Sequence, residues 1–215
     1  MSLALTIAGS DPSGGAGLQA DLKTFAALGV YGYSVITAVI AQNSARVERV
    51  DAVAAGMVAA QIRTLAMERQ PGALKTGALA NAAVVGAVAN AIRELKLPAP
   101  VVDPVLISSS GTRLLERTGE RALKERLLPL ALVVTPNLPE AEALAGIAID
   151  GMAAMRAAAR AICAATGVRA VVIKGGHALE AGTRDAAMGT RTHLRARPRR
   201  AGSAVAVEEQ AVDLL

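Results

Sequence analysis

Four groups of residues in this sequence have the chemistry to bind a phosphate or a divalent cation. The stretch from Gly9 to Gly17 is rich in glycine, which lets the backbone approach a ligand closely. Asp103 lies between two valines and a proline, so a carboxylate that can bind Mg²⁺ is fixed at the tip of an apolar run. Lys174 ends another apolar run, where its ammonium group could neutralise phosphate charge. Asn137-Leu-Pro-Glu140 adds an amide and a second carboxylate beside a metal-bound phosphate.

Each group also has an explanation that involves structure alone. Asn137 and Glu140 have the spacing of a capping box, which closes the first turn of a helix and is typically worth about 0.5–2 kcal/mol. Asp103 before a proline is typical of a turn, and Lys174 could be a solvated strand end. A tight strand-to-helix turn accounts for part of the glycine content of the first group. The convergence of the groups therefore matters more than any one of them.

Segments with strand and helix patterns alternate through most of the chain and must position these groups. The run 35–41, rich in β-branched residues, is typical of a central strand. Continuous apolar strands separated by helices predict an α/β fold with a mostly parallel sheet covered on both faces. Such sheets bind ligands beyond the carboxyl ends of their strands, which is where the polar groups fall. The predicted strands are 3–8, 35–41, 73–76, 101–102, 132–134 and 170–173, and the predicted helices are 17–28, 57–68, 82–95, 116–128, 139–145 and 152–165.

Two nucleotide-binding motifs match the glycine-rich stretch only in part. Gly15-Ala-Gly17-Leu-Gln-Ala20 fits the looser dinucleotide fingerprint, but that fingerprint also needs an acidic residue at the tip of the second strand. The second predicted strand ends in Gln42-Asn43 instead. A P-loop fits less well, because Leu22 stands where its second glycine belongs. Neither motif therefore accounts for the loop.

Composition excludes several classes of protein. Apolar residues make up 53% of the chain, yet no apolar run is long enough to span a membrane, so no membrane partner is expected. The amino terminus lacks the basic segment of a signal peptide, which favours a cytoplasmic location. Cys163 is the only cysteine, so an internal disulfide is impossible. The two histidines lie far apart and do not suggest a zinc cluster.

The net charge of +5 comes largely from one late segment. Residues 184–200 contain six arginines and one aspartate, without the aromatic residues or motifs of a nucleic-acid-binding domain. A solvated tail explains this segment better than a nucleic-acid partner. The strand and helix pattern also dissolves after Gly182, and only 208–215 has the character of a final short element. We therefore predict one domain over residues 1–182 and a divergent, arginine-rich tail over residues 183–215.

Taken together, these segments resemble the hydroxymethylpyrimidine and phosphomethylpyrimidine kinases of thiamine biosynthesis, which belong to the ribokinase-like superfamily. Their order and spacing fit that family from the first residue to about residue 182. The resemblance implies a three-layer α/β/α sandwich, and ATP-dependent phosphorylation of a pyrimidine hydroxymethyl group and then of its monophosphate. Relatives are commonly homodimers. The matching stretches are AGSDPSGGAGLQADLKTFAALGVYG (8–32), VITAVIAQN (35–43), LKTGAL (74–79), VVDPVLISSSG (101–111), LVVTPNLPEAEAL (132–144) and VVIKGGH (171–177).

The resemblance also implies which residues bind the pyrimidine. The glycine-rich loop would close over the ring, and Gln42 would hydrogen-bond a ring nitrogen and the amino group. A primary amide suits that role because it offers a donor and an acceptor side by side. The implied substrate-binding residues are Gly9, Asp11, Gly15, Gln42, Ala78 and Val105.

On the nucleotide side, the resemblance implies that Asp103 and Glu140 position Mg²⁺ through its water molecules. Asn137 would assist in binding the cofactor, and Lys174 would contact ATP and take part in catalysis. Asp21, one turn into the first helix, would face the phosphate site as a second catalytic residue.

The sequence departs from the family after residue 177. The family has a glycine-rich His-Gly-Thr-Gly-Cys segment that stabilises the transferring phosphoryl group, and nothing in residues 178–215 matches it. Phosphoryl transfer depends on positioning and charge stabilisation, so we expect a C-terminally truncated fold with impaired catalysis. A truncated or frameshifted gene product explains the departure best, and a non-catalytic pyrimidine-binding protein is the alternative. A sugar or other vitamin kinase is disfavoured by Gln42-Asn43.

Overall fold

The computed structural model of the chain describes residues 1–43, 45–108 and 111–175, together with the backbone of residues 204–208. Its strands are β1 (Leu3–Ala8), β2 (Tyr31–Ile36), β3 (Ala38–Gln42), β4 (Val47–Ala52), β5 (Ala73–Thr76), β6 (Val101–Val102), β7 (Val133–Val134), β8 (Ala170–Lys174) and β9 (Ala204–Glu208). Its α-helices are α1 (Gly17–Ala27), α2 (Ala55–Glu68), α3 (Ala82–Glu94), α4 (Arg117–Ala122), α5 (Leu138–Ala145) and α6 (Met152–Thr166). A π-helical turn, Leu123–Leu127, and a 3-10 turn, Leu128–Leu130, continue α4.

The main sheet has seven strands in the order β2-β1-β5-β6-β7-β8-β9. Neighbouring strands from β2 to β8 are parallel, and β9 pairs with β8 in the antiparallel direction. β3 and β4 form a separate antiparallel hairpin. These findings confirm the predicted α/β fold with a mostly parallel sheet.

Helices cover the two faces of the sheet unequally. One face carries the main core, in which strand residues such as Leu5 and Val134 belong to the same buried cluster as Ile62 of α2 and Ile162 of α6. The other face is covered over β1 and β5 by α1, where Thr6 and Lys75 contact Asp21. Among the described residues, no helix is long and apolar enough to cross a bilayer.

The predicted central strand 35–41 is wrong in two respects. The run is divided at Thr37, and its first part belongs to β2, which lies at the edge of the main sheet. The second part belongs to the β3–β4 hairpin, whose strand β4 had no predicted counterpart. Thr37 is held between the two sheets, because its N–H donates to Ala8 O at 3.0 Å and its hydroxyl donates to Ala78 O at 2.6 Å. These bonds turn the chain out of the main sheet.

The final element also differs from the sequence prediction. β9 covers Ala204–Glu208 and so lies mostly in a stretch predicted to have no regular pattern, although Ala-Val-Ala-Val alternates with the period of a strand. The predicted short element at 208–215 overlaps it by one residue, and the rest of that element lies outside the described residues. The arginine-rich segment of residues 184–200 lies outside them as well.

Candidate active site

The sheet has a topological switch point at β1. The chain leaves β1 through α1 to β2 on one side, and later enters β5 on the other side of β1. Ligands of open parallel sheets bind at such points, in the crevice beyond the carboxyl ends of the strands. The loop Gly9–Gly17 leaves the sheet at this edge, and so do Gly77 and Ala78 after β5.

Backbone hydrogen bonds tie the glycine-rich loop to the hairpin and to its own start. Ser10 donates its N–H to Ala38 O of β3 at 2.9 Å, and its hydroxyl accepts from the N–H of Ile40 at 3.0 Å. Leu18 in the first turn of α1 donates to Gly9 O at 3.1 Å. Gly17 has φ +58°, and a Cβ at this position would lie 2.6 Å from Gly9 O. The loop therefore folds back on itself at a place that admits no side chain.

The carboxylate of Asp11 is the centre of this loop. Asp11 is 3% exposed, and one carboxylate oxygen accepts from the backbone N–H and hydroxyl of Ser13 at 3.0 and 2.8 Å. The other oxygen accepts from the N–H groups of Gly15 and Ala16 at 3.1 and 2.7 Å. Asp11 was predicted to bind substrate, and its oxygens already serve the loop, so it would act by shaping the loop around a ligand.

Hydrogen bonding keeps Asp11 ionised. Burial alone would raise the pKa of its carboxyl group, but hydrogen bonds from the side chains of Gln42 and Ser13 and from the backbone of Ala16 and Ser13 outweigh burial and lower the pKa to about 2. The folded-state pKa lies below the ordinary value of 3.8, so this carboxylate stabilises the fold above about pH 4. That contribution is lost as the pH falls through 3.8 towards 2.

We expect Asp11→Asn to make the stability of the fold less sensitive to acid, because the contribution of the Asp11 carboxylate is removed. Urea unfolding midpoints between about pH 5 and pH 2 should fall less steeply for Asp11→Asn than for the unsubstituted chain, because the neutral amide does not titrate. Asp150→Asn, which changes an exposed carboxylate, should leave the slope of the unsubstituted chain intact. Equal slopes for Asp11→Asn and the unsubstituted chain would show that Asp11 has no special ionisation in the fold.

Gln42 lies at the end of β3, on the side of the hairpin that faces Asp11. Its side chain is half-buried and lines a cavity of about 310 Å³ together with Pro12, Ala41, Asn43, Arg46 and Glu48. The loop and the hairpin therefore meet at Gln42, as predicted from the strand ends.

Gly9, Ala78 and Val105 lie around the base of the same hairpin. A Cβ on Gly9 would lie 2.9 Å from the side chain of Ile40 and 3.5 Å from the Cβ of Ala78. Val105 packs against the small apolar cluster that contains Ile40 and Ala38. The structure therefore brings these three predicted residues together, while their contact with a substrate stays a prediction.

A second group of predicted residues meets beyond β6, β7 and β8. Lys174 Nζ donates to Asp103 Oδ1 at 2.9 Å, and the backbone of Lys174 bridges to Asn137. Asn137 caps α5 by accepting the N–H of Glu140 at 2.9 Å, and Glu140 Oε2 accepts the N–H of Asn137 at 2.9 Å. The predicted capping box is therefore confirmed. It does not exclude a role in binding, because it lies beside the Asp103–Lys174 ion pair.

Glu140 is the buried member of this second group. It is 5% exposed, and its other oxygen accepts from the N–H of Leu106 at 3.3 Å. Burial raises the pKa of the Glu140 carboxyl group, and the negative charge of Asp103 also raises it, while backbone hydrogen bonds and the charge of Lys174 act in the opposite direction. Two carboxylates and one ammonium group thus interact at this part of the edge.

The donor set of this group fits a magnesium ion that is shared with a nucleotide. Mg²⁺ in such sites uses one or two carboxylates together with substrate phosphates. Asp103 is partly exposed and offers the accessible carboxylate. Both oxygens of Glu140 already accept backbone N–H groups, so Glu140 suits an indirect role through water. Among the described residues, no three His, Cys, Asp or Glu side chains form a metal-binding cluster of their own.

Asp21, predicted to be catalytic, lies on α1 and is fully engaged. Lys75 Nζ donates to both of its carboxylate oxygens, at 2.9 and 2.8 Å, and the Thr6 hydroxyl donates to Oδ2 at 2.6 Å. The sequence pattern places Lys75-Thr76-Gly77 among the polar clusters at the strand ends, but it gives Lys75 no role of its own. The available signal was a lysine inside a short strand of a parallel sheet, where apolar residues are usual.

Comparison with known proteins gives matches over most of the chain. The family model for phosphomethylpyrimidine kinase matches residues 11–202, which extends past the boundary predicted at residue 182. A hydroxymethylpyrimidine/phosphomethylpyrimidine kinase from Rhizobium meliloti is 49% identical over 176 residues, which are 82% of this chain and 66% of the relative. The chain therefore spans slightly less than two thirds of that relative's length.

Two solved structures are also similar to this chain. The phosphomethylpyrimidine kinase of Clostridium difficile 630 has a TM-score of 0.76 and 41% identity, covering 82% of this chain and 76% of that one. The pyridoxal kinase of Staphylococcus aureus in complex with AMP-PCP has a TM-score of 0.73 and 36% identity, covering 83% of this chain and 64% of that one. The fold, the arrangement of the site and these matches lead to one conclusion: the chain belongs to the phosphomethylpyrimidine kinase family.

Proposed function

We propose that this chain binds hydroxymethylpyrimidine and its monophosphate and phosphorylates them with ATP. The observation that carries the proposal is that two groups of polar residues lie at the same edge of the sheet, at the carboxyl ends of its strands. Gln42 and the glycine-rich loop form one group, and Asp103, Asn137, Glu140 and Lys174 form the other. The first suits a flat nitrogen heterocycle, and the second suits a metal-bound polyphosphate.

The pyrimidine side would recognise its ligand through the Gln42 amide. One primary amide can donate to a ring nitrogen and accept from an exocyclic amino group at the same time. Gly9 and Ala78 lie close together at the base of the hairpin, and glycine at position 9 lets the loop lie against Ile40, where a side chain would clash. A sugar substrate would instead need several polar side chains for its hydroxyl groups, which favours the heterocycle.

The nucleotide side would orient the triphosphate. Lys174 would bind phosphate oxygens through its ammonium group, and Asp103 and Glu140 would hold Mg²⁺, with Asn137 assisting. When bound, Mg²⁺ neutralises negative charge on the phosphates. Lys174 and Asp103 form an ion pair, with Lys174 Nζ 2.9 Å from Asp103 Oδ1. ATP would therefore compete with Asp103 for Lys174.

We further propose that residues 1–215 alone transfer phosphate slowly. Cys163, the only cysteine, is buried in α6, and residues 178–215 do not contain the His-Gly-Thr-Gly-Cys segment that the family resemblance implies. Loss of a hydrogen-bond donor that stabilises the charge of the transition state usually lowers the rate by about two to three orders of magnitude. We therefore propose that the rate of phosphoryl transfer is lower by about that factor. A binding protein without catalysis is the second candidate, and it rests on the same departure. A homodimer and a cytoplasmic location stay predictions.

Substitution of Gln42 tests the proposal. We expect Gln42→Ala to weaken hydroxymethylpyrimidine binding about tenfold to hundredfold by calorimetry, because two hydrogen bonds are lost. Gln70→Ala removes an exposed amide that bonds Leu95 O and should leave the affinity unchanged. Mass spectrometry of the product with ATP separates a slow kinase from a binding protein.

The assay should include ribose and pyridoxal as competing substrates. Preference for either of them over the pyrimidine would refute the proposed substrate. Equal pyrimidine affinities for Gln42→Ala and Gln70→Ala would refute the proposed role of Gln42.

A further inference from the structure

The Lys75–Asp21 ion pair leaves one N–H group of the Lys75 ammonium free to bind a ligand. Lys75 Nζ donates to both carboxylate oxygens of Asp21, which uses two of its three N–H groups. Within the part of the chain that the structure describes, no acceptor is found for the third. A quarter of the Lys75 side chain is exposed, so the ammonium group is not sealed in the fold.

The Lys75 side chain extends towards the edge of the sheet where the candidate active site lies. A Cβ on Gly77, two residues further along, would lie 3.3 Å from Lys75 Nζ. A Cβ there would also lie 3.1 Å from the Cβ of Ala8, so a side chain at position 77 would crowd the ammonium group, and glycine avoids that contact. The next residue, Ala78, lies beside Gly9 on the pyrimidine side.

Strand register places Lys75 on the same face as the nucleotide side. Lys75 is paired with Val101 of β6, and Asp103 follows two residues later, so both side chains project from one face of the sheet. Asp103 in turn binds Lys174. Lys75 thus stands next to the pyrimidine side, whereas Lys174 stands on the nucleotide side, with Asp103 between them.

Two features argue that Lys75 does more than hold α1 in place. An ion pair kept only for stability is often replaceable by apolar residues without loss, because removing both charges from water is costly. Here the Asp21 carboxylate also accepts a hydrogen bond from the Thr6 hydroxyl, so its orientation is fixed. The fixed carboxylate in turn holds the Lys75 ammonium group in one position. The pair therefore resembles an ammonium group held in position by a carboxylate and aimed past a glycine.

We propose, on the basis of the proposed function, that Lys75 is a second phosphate-binding cation, which binds the phosphate of the pyrimidine monophosphate. Asp21 is then a positioning residue for Lys75. This assignment changes the predicted catalytic role of Asp21, because both of its oxygens are occupied and it does not face the substrate as a free base. It gives the site one cation for the nucleotide and another for the phosphorylated acceptor.

Calorimetry and ³¹P NMR on the full chain test this assignment. We expect Lys75→Met to weaken binding of the pyrimidine monophosphate about tenfold to hundredfold, because a charge-assisted hydrogen bond is lost. Affinity for the alcohol, which has no phosphate, should change less than about twofold. Inorganic phosphate, followed by ³¹P NMR, should also bind more weakly. Lys75→Arg should retain most of the affinity, and Lys96→Met, at the end of α3, should behave as the unsubstituted chain.

The double variant Asp21→Asn/Lys75→Met distinguishes phosphate binding from a structural role. Lys75→Met alone leaves Asp21 without its cation, and the double variant removes that unpaired charge. We expect phosphate affinity to stay low in the double variant. Recovery of phosphate affinity, or equal losses for the alcohol and the monophosphate, would overturn the assignment.

The same measurements keep the two proposals apart. Suppose that the chain binds the pyrimidines and inorganic phosphate, but Lys75→Met changes neither the affinity for the pyrimidine monophosphate nor the affinity for inorganic phosphate. The assignment of Lys75 is then wrong, and the proposed function stands. If the chain binds no pyrimidine, but binds inorganic phosphate in a manner that depends on Lys75, the proposed substrate is wrong and the phosphate site stands. Absence of phosphate binding to the unsubstituted chain refutes the site.

Discussion

Gly17→Ala should destabilise the folded chain by about 2–5 kcal/mol. Alanine in the left-handed region costs about 1–2 kcal/mol, and overpacking typically costs about 1–3 kcal/mol more. At this position both terms apply, because φ is +58° and the added Cβ would lie 2.6 Å from Gly9 O and 3.1 Å from the N–H of Asp11. Relief of that contact requires a movement of the loop backbone, so pyrimidine binding should be lost together with stability.

Gly29→Ala is the matched control for Gly17→Ala. Gly29 has a similar φ of +69°, but no atom lies within 4 Å of the position of its Cβ. We expect Gly29→Ala to lose only the stability that alanine costs in the left-handed region, about 1–2 kcal/mol, and to keep its ligand affinity. Urea unfolding gives both free energies. Equal losses for the two variants would mean that the close approach of Gly17 to Gly9 is not a feature of the folded chain.

Asp103→Asn should lower the rate of phosphoryl transfer by about two to three orders of magnitude. The substitution removes the accessible carboxylate of the nucleotide side and releases Lys174, whose ammonium group lies 2.9 Å from Asp103 Oδ1. It also removes a negative charge that raises the pKa of Glu140. Affinity for Mg²⁺-ATP should fall, whereas affinity for hydroxymethylpyrimidine should be retained, because Gln42 and the glycine-rich loop are untouched.

Asp51→Asn provides a control with the same change of charge. Asp51 lies on β4 and pairs with Arg49 at the exposed surface, at 2.8 Å. Its replacement should alter neither the transfer rate nor the affinity for Mg²⁺-ATP. The proposed nucleotide side would be contradicted if Asp103→Asn retained the rate of Asp51→Asn, or if it lost pyrimidine affinity as severely as nucleotide affinity.

The edge of the sheet that carries the site was predictable from the sequence, because the carboxyl ends of parallel strands all lie at the same edge. The apolar run Leu3–Ala8 has a strong pattern, and it and the short strand Ala73–Thr76 were placed at their observed bounds. The polar residue that follows each run then belongs to the same edge. The capping box at Asn137 was equally predictable, because its signal is local and contains both partners.

Other features depend on contacts between distant segments, which a local pattern does not contain. The division of 35–41 at Thr37 follows from hydrogen bonds to Ala8 and Ala78. β-branched residues favour a strand on either side of that point, so composition alone does not locate the break. The pairing of Lys75 with Asp21, 54 positions apart, is of the same kind. Asp11 was correctly placed in the loop, but its four internal hydrogen bonds were not foreseeable.

A crystal structure of the chain with hydroxymethylpyrimidine and a non-hydrolysable ATP analogue would test the shared site most directly. We expect the ring between the glycine-rich loop and the Gln42 amide, and the terminal phosphate of the analogue within hydrogen-bonding distance of Lys174. Binding of the pyrimidine at the opposite edge of the sheet, or phosphates far from Asp103 and Lys174, would contradict the account.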